Sequence, residues 1–149
     1  MVWGGVSLTG RTDLVTINGN LTSERYITDI LQEHVVPYAP YIGANFLLMH
    51  DNARPHTGRI VRNYLEEVGV NYLDWPARSP DLNPIEHVGD LIGRRLRSEG
   101  PQPQNLIDLS ERLIELWNDL DQDLIRTLIL SMNRRCGDVI RGRGGNTKY

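Results

Sequence analysis

Apolar and polar positions along the chain follow two rhythms, one of period two and one of helical spacing. Val2 to Leu8 and Asp13 to Ile17 read as strands, joined through the turn at Thr9-Gly10-Arg11 and closed by Asn18-Gly19. Gly4-Gly5 interrupts the first and marks a bulge or a close backbone approach. From a cap at Thr22 or Ser23, the residues Tyr26, Ile27, Ile30, Leu31 and Val35 recur at helical spacing, and Pro37 and Pro40 are expected to end that helix. The apolar run Phe46-Leu47-Leu48-Met49, bounded by turn residues, predicts a strand buried on both faces. Ile60, Val61, Tyr64, Leu65 and Val68 mark a second amphipathic helix, stopped at Gly69. Val70 to Leu73 is a short strand running into Asp74-Trp75-Pro76.

A helix after Pro84 carries Ile85, Val88, Leu91, Ile92 and Leu96 on one face, with Glu86 at the shoulder of that stripe beside Gly89, Asp90 and Gly93. Leu106, Leu109, Leu113 and Leu116 predict the next helix, whose other face is acidic, and Leu124, Ile125, Leu128, Ile129 and Met132 the last. Residues 142–149 are Gly-rich and expected to be a loose tail. The order β-β-α-β-α-β-α-α-α describes an α/β chain, read as a single domain over residues 1–149 without an internal repeat or linker.

Composition narrows the classes. A chain of 149 residues is long enough to bury a real core. No stretch approaches the roughly 20 apolar residues a membrane helix needs, and Met1-Val2-Trp3-Gly4-Gly5 lacks the regions of a signal peptide. The single cysteine, Cys136, excludes an internal disulfide or a multi-cysteine zinc site and favours an intracellular compartment. Net charge is −3, so no overall basic field exists, yet five Arg and one Lys face only Asp138 between Arg126 and Tyr149. Arg134 and Arg135 in that basic end are candidate phosphate contacts, against the plainer reading of a solvated tail.

The chemistry gathers between Asn45 and His87. Asp51 stands at the carboxyl end of the Phe46–Met49 strand, where open α/β sheets place ligands, and Glu86 opens a helix. Two such carboxylates suit a hard divalent cation. Each has a competing local role. Asp51 can form an Asx turn on Asn52-Ala53, and Glu86 can complete a capping box with Asn83 ahead of Pro84. His50, His56 and His87 show no zinc-type spacing. His56 either helps position a phosphate or a metal ligand, or makes a helix-start hydrogen bond. Arg54 and Arg78 lie in loops near the expected site and are better candidates for phosphate contact. Trp75-Pro76 is read as packing the loop between the two carboxylates, with base stacking as the alternative.

Three blocks now carry a resemblance. His50-Asp51-Asn52-Ala53-Arg54-Pro55-His56-Thr57, then Leu73-Asp74-Trp75-Pro76, then Ser79-Pro80-Asp81-Leu82-Asn83-Pro84-Ile85-Glu86-His87 resemble the catalytic core of Tc/mariner-type transposases. The resemblance extends from Val2-Trp3-Gly4-Gly5 to Arg143-Gly144-Gly145-Asn146-Thr147-Lys148-Tyr149. It implies an RNase H-like mixed sheet flanked by helices, with a C-terminal helical extension, and an Asp, Asp, Glu/Asp triad holding two Mg²⁺ or Mn²⁺ ions. Asp51 is then the second triad member and Glu86 the third, their carboxylates expected to face one another across a cleft. The first Asp belongs to a strand upstream of Val2, so this chain is expected to lack both. The implied reaction cuts DNA at a transposon end, after which the freed 3′-hydroxyl attacks target DNA. Implied partners are DNA and a homodimer or a full-length transposase, in the nucleus. The family commonly has Trp where this chain has Gly89, which is expected to leave a gap in a weakened helix. Asp90 and Asp13 are conceivable substitute carboxylates outside the family's position. The expectation is a catalytic domain inactive alone. The alternatives are a non-catalytic module binding nucleic acid or protein, or a piece of a longer, active enzyme.

Overall fold

The computed structural model describes residues 1–77 and 79–144. They form two compact units, the first comprising Met1–Trp3 with the chain from Val15 to the Trp75 loop, the second Gly4–Leu14 with the chain from Ser79 onward. No helix among the described residues is long and apolar enough to cross a membrane.

In the first unit, β1 (Val2–Trp3) pairs antiparallel with β2 (Val15–Thr16), in the register Val2↔Thr16 and Trp3↔Val15. The ladder is shorter than the seven-residue strand predicted, and the cause lies in the glycines. A Cβ on Gly4 would stand 2.7 Å from Cη2 of Trp117, and the Trp117 indole N–H donates to Thr12 O at 2.8 Å. The indole lies against the hairpin backbone at the point where regular pairing ends, with only a Val6↔Arg11 bridge beyond. Gly4 is therefore the close backbone approach expected at Gly4-Gly5.

Thr22 caps α1 (Ser23–Arg25) through its hydroxyl, which accepts from Arg25 N–H at 3.3 Å. The helix then widens into a π-helical stretch, Tyr26–Val35, and returns to α geometry in α2 (Val36–Ile42). Pro37 and Pro40, expected to stop the helix, are instead carried inside it. The Val36 N–H donates to Leu31 O, five residues back, so the wider register arrives at Pro37, where a ring without an N–H would otherwise clash with the preceding turn. The helix ends at Gly43, at φ +98°. Tyr26, Ile30, Leu31 and Val35 bury its inner face against Ile17, Leu48, Val61, Leu65 and Val70. Val61 and Leu65 come from α4 (Arg59–Glu67), which stops before Gly69 at φ +70° as its sequence predicts.

The Phe46–Met49 run is extended but not buried on both faces. Leu48 is 9% exposed, whereas Leu47 is 51% and Met49 37% exposed. Leu48 N–H donates to Asn71 O at 2.8 Å and Leu73 N–H to Leu48 O at 2.9 Å, a parallel bridge centred on Tyr72. With side chains alternating across an extended segment, only the Leu48 side meets the core.

In the second unit, α5 (Pro84–Ser98) runs unbroken through Gly89 and Gly93 and turns Val88 and Ile92 inward, as predicted. They pack with Leu116, Trp117, Leu120 and Ile125 from α6 (Leu106–Asn118), α7 (Gln122–Leu130) and their junction. Leu106, placed by its spacing on the inner face of α6, is 82% exposed, because the core contact begins only near Leu113 and centres on Leu116-Trp117. A final helix, α8 (Met132–Arg141), follows Ser131 where the sequence reading had a single last helix. Gly142 to Gly144 close it with backbone bonds to Asp138, Ile140 and Val139, and the rest of the expected loose tail lies outside the described residues.

Candidate active site

After Leu48 is fixed by its bridge, the chain delivers His50 and Asp51 to a turn leading into the short helix α3 (Arg54–Thr57). Asp51 Oδ1 accepts from the Ala53 N–H at 3.0 Å, the Asx turn anticipated, and meets His56 Nδ1 at 2.7 Å. An ionised carboxylate only accepts, so the Nδ1 of His56 carries the proton it donates. Both bonds fall on one oxygen. No donor among the described residues reaches Oδ2, and the Asp51 side chain is 46% exposed while His56 is 14%.

His56 is itself held. Its ring stacks on His50 at 5.3 Å between centroids, 5° from parallel, and lies 4.2 Å from Tyr26. His50 Nδ1 sits 3.1 Å from the Tyr26 hydroxyl. Burial, and then the nearby His56, push the His50 pKa down to about 4 against the opposing pull of Asp51. Burial, and then Asp51, push the Tyr26 phenol above its ordinary value. Tyr26 therefore keeps its proton, and its hydroxyl pairs with Nδ1 of a neutral His50. The π-helical stretch thus supplies the base of a stack whose outer member grips Asp51. Asn52 Nδ2 donates to Trp75 O at 2.7 Å, tying the same turn to the Trp75-Pro76 loop. Tyr26 and His50 were absent from the sequence-level site. Tyr26 reads as one more apolar position of a helical stripe, and only the fold brings it to Asp51.

Glu86 stands in the first turn of α5. Asn83 caps the helix by accepting from Ile85 N–H at 3.3 Å, and Pro84 takes the first helical position. The reciprocal half of the capping box is not formed. The Asn83 N–H donates to Pro80 O at 3.0 Å, so nothing remains for Glu86 to accept, and its side chain is exposed. The Pro80–Leu82 turn that precedes the cap is a single 3-10 turn. Its Asp81 carbonyl accepts from Arg135 Nη1 at 2.8 Å and lies 3.3 Å from His87 Nε2. His87 is therefore engaged with this turn.

Of the proposed nucleic-acid contacts, Arg54 is exposed at the start of α3 and Arg134 is exposed on α8. Arg78 lies outside the described residues. Arg135 corrects the reading of the basic end: it is 1% exposed and spends its guanidinium on Asp81 O, Leu128 O and Ser131 Oγ, so it is unavailable to phosphate. Arg141 is paired with Asp138. Asp13 is exposed, and Asp90 is paired with Arg94 at 2.8 Å. Gly89 is exposed, and a Cβ there would meet nothing within 4 Å. Among the described residues no group of three or more His, Cys, Asp or Glu side chains forms a ready metal cluster. Asp51, Arg54 and His56 belong to the first unit, Glu86, Arg134 and Arg135 to the second.

The sequence model of the family described as DDE superfamily endonuclease matches residues 1–110. The transposase of the Tcb1 element of Caenorhabditis briggsae is 38% identical over 151 residues, covering all of this chain and 54% of that protein. The chain thus spans about half the length of the curated relatives it matches. In structure it resembles the catalytic domain of the Mos1 mariner transposase, with a TM-score of 0.77 and 21% identity over 99% of this chain and 81% of the other. It also resembles the Mos1 paired-end complex with Mn, at a TM-score of 0.76 and 22% identity over 91% of this chain and 40% of that one. The fold is accordingly the RNase H-like α/β fold.

Proposed function

The chain belongs to the DDE superfamily endonucleases of the Tc/mariner type, and from that premise we propose that it serves metal-dependent DNA cleavage and strand transfer in cut-and-paste transposition, with Asp51 and Glu86 as metal-ligating carboxylates. The observation that carries the reading is the state of Asp51. One oxygen is committed to His56 and Ala53, and the other meets no donor among the described residues. A carboxylate oriented in this way fits a hard cation, which prefers oxygen donors. Glu86 fits as well, being exposed and released from its own helix cap.

A divalent cation such as Mg²⁺ or Mn²⁺, when bound, supplies positive charge against the phosphate oxygens and the leaving oxygen. The chain's own residues orient and hold. His56 fixes the Asp51 carboxylate, the Tyr26–His50 pair fixes His56, and Asn52 anchors the turn to Trp75. Arg54, exposed three residues after Asp51, takes a DNA phosphate through its guanidinium fork in this reading. The Mos1 paired-end complex with Mn supports DNA and a divalent metal as partners here. The implied setting is the nucleus.

The same reading includes inactivity of these 149 residues on their own. Asp51 and Glu86 bring two carboxylates; of the two conceivable substitutes, Asp90 is paired with Arg94 and Asp13 is an exposed hairpin residue. Two carboxylates carry too little ligand charge to secure a pair of divalent ions. The test is a plasmid-nicking assay with purified protein in Mg²⁺ or Mn²⁺, with Asp51→Ala as control. The expected result is no cleavage above that control. Cleavage that Asp51→Ala abolishes would show that a further carboxylate completes the site, and the inactivity would be wrong.

A further inference from the structure

We propose that Arg135 is the positioning residue for Glu86, acting through the Pro80–Leu82 turn; the inference rests on Glu86 being a metal-ligating carboxylate. Arg135 is one of only two buried polar or charged side chains in the described core, the other being Asn83, the cap of the helix that bears Glu86. Burying a guanidinium is costly unless its donors are met. Here they are met by neutral oxygens: Ser131 Oγ at 3.1 Å, Leu128 O at 2.8 Å and Asp81 O at 2.8 Å. The first two are local and close the junction of α7 with α8. The third reaches 54 residues back along the chain to the turn that leads into α5.

That third bond has a consequence for Glu86. Asn83 gives its N–H to Pro80, so the Glu86 side chain receives no anchor from a capping box. Its position is set by where the backbone enters α5. Between Asp81 and Glu86 that backbone has little freedom: Leu82, Asn83 and Pro84 are buried, and Asn83 closes on both Pro80 and Ile85. Arg135 holds the upstream end of this short rigid piece. It does so from beyond residue 110, where the family match ends. A residue counted among the basic tail thus acts as a hook for the candidate site.

The experiment compares hydrogen exchange and Mn²⁺ affinity in the full chain for Arg135→Met, Arg135→Lys and Leu116→Ala. Leu116 is buried in the same unit, in the apolar cluster with Val88, Ile92, Trp117, Leu120 and Ile125, so it reports loss of packing alone. In folded Arg135→Met, the N–H groups of Leu82, Asn83 and Glu86 are expected to exchange at least about tenfold faster while those from Gly89 to Arg95 keep parent rates. Mn²⁺ affinity is expected to fall about tenfold, as when a group orienting a ligand is removed, and Arg135→Lys, keeping one donor, to lie between. Leu116→Ala is expected to loosen α5 and α6 evenly and to leave Mn²⁺ affinity within about twofold. If Arg135→Met does not fold, Arg135→Lys carries the same comparison. Unchanged exchange in the turn, or a rise shared evenly along α5, would overturn the proposal. Mn²⁺ binding indifferent to Glu86→Gln would instead overturn the metal role of Glu86, with the exchange pattern still deciding what Arg135 holds.

Discussion

Asp51 owes its orientation to a stack of side chains, and each member makes a separate demand that can be measured. His56→Ala removes the donor at 2.7 Å; the Mn²⁺ affinity is expected to fall roughly tenfold, with His56→Asn, whose amide still donates, losing less. Equal affinities for the parent and His56→Ala in a Mn²⁺ titration would show that the clamp is dispensable. His50 gives a pH dependence. Its folded pKa, about 4, lies below the ordinary histidine value of 6.5. Between those values the unfolded chain binds a proton that the folded chain refuses, so stability falls as pH drops from 6.5 toward 4. The shift sets an upper limit of about 3 kcal/mol on this loss. Urea unfolding at pH 7 and pH 5 is expected to show a larger drop for the parent than for His50→Gln, and equal drops would remove His50 as the cause. Arg54 is tested through salt: Arg54→Ala is expected to lower the slope of log affinity for DNA against log salt by about one. An unchanged slope would place the phosphate contact elsewhere.

At the scale of elements, the helices that the sequence marked are present where periodicity and stop signals agreed. Glycine at φ +70° ends α4, and Val88 and Ile92 face the core of α5. The misreadings share one physical origin, that local rules give way to tertiary contacts. Pro37 and Pro40 signal a stop, but Pro37 follows the π-helical stretch and Pro40 lies inside α2. The apolar run predicts burial on both faces, but only the side of Phe46 and Leu48 meets a core, while Leu47 and Met49 are exposed. Leu106 fits the inner phase of α6, yet no partner lies opposite it. Two glycines show how environment decides the sign of one substitution. Gly89→Ala places a methyl group in open space and is expected to stabilise the protein by about 1 kcal/mol through helix propensity alone. Gly4→Ala drives the methyl group to 2.7 Å from the Trp117 ring and is expected to destabilise by about 1–3 kcal/mol. Thermal unfolding of the two variants is expected to move in opposite directions, and a shared direction would contradict this account of α5 and the hairpin.

For the whole molecule, what the sequence made legible and what it did not divide along the same line. The three blocks from His50 to His87 announced the family and both carboxylates, because short motifs of turn and ligand residues survive as local patterns. Tyr26 and Arg135 could not be found that way. One is a polar atom at the end of an apolar stripe, and the other is a charge counted with the basic C-terminal end but buried. Charge counts do not distinguish a solvated arginine from a buried one. The central claim is that Asp51 and Glu86 both ligate a divalent cation, and calorimetric titration of Mn²⁺ into the parent chain, Asp51→Asn and Glu86→Gln tests it most directly. The account predicts saturable binding by the parent and a loss of affinity of at least about tenfold in each variant. Binding that persists unchanged in both variants would place the cation elsewhere and contradict the claim.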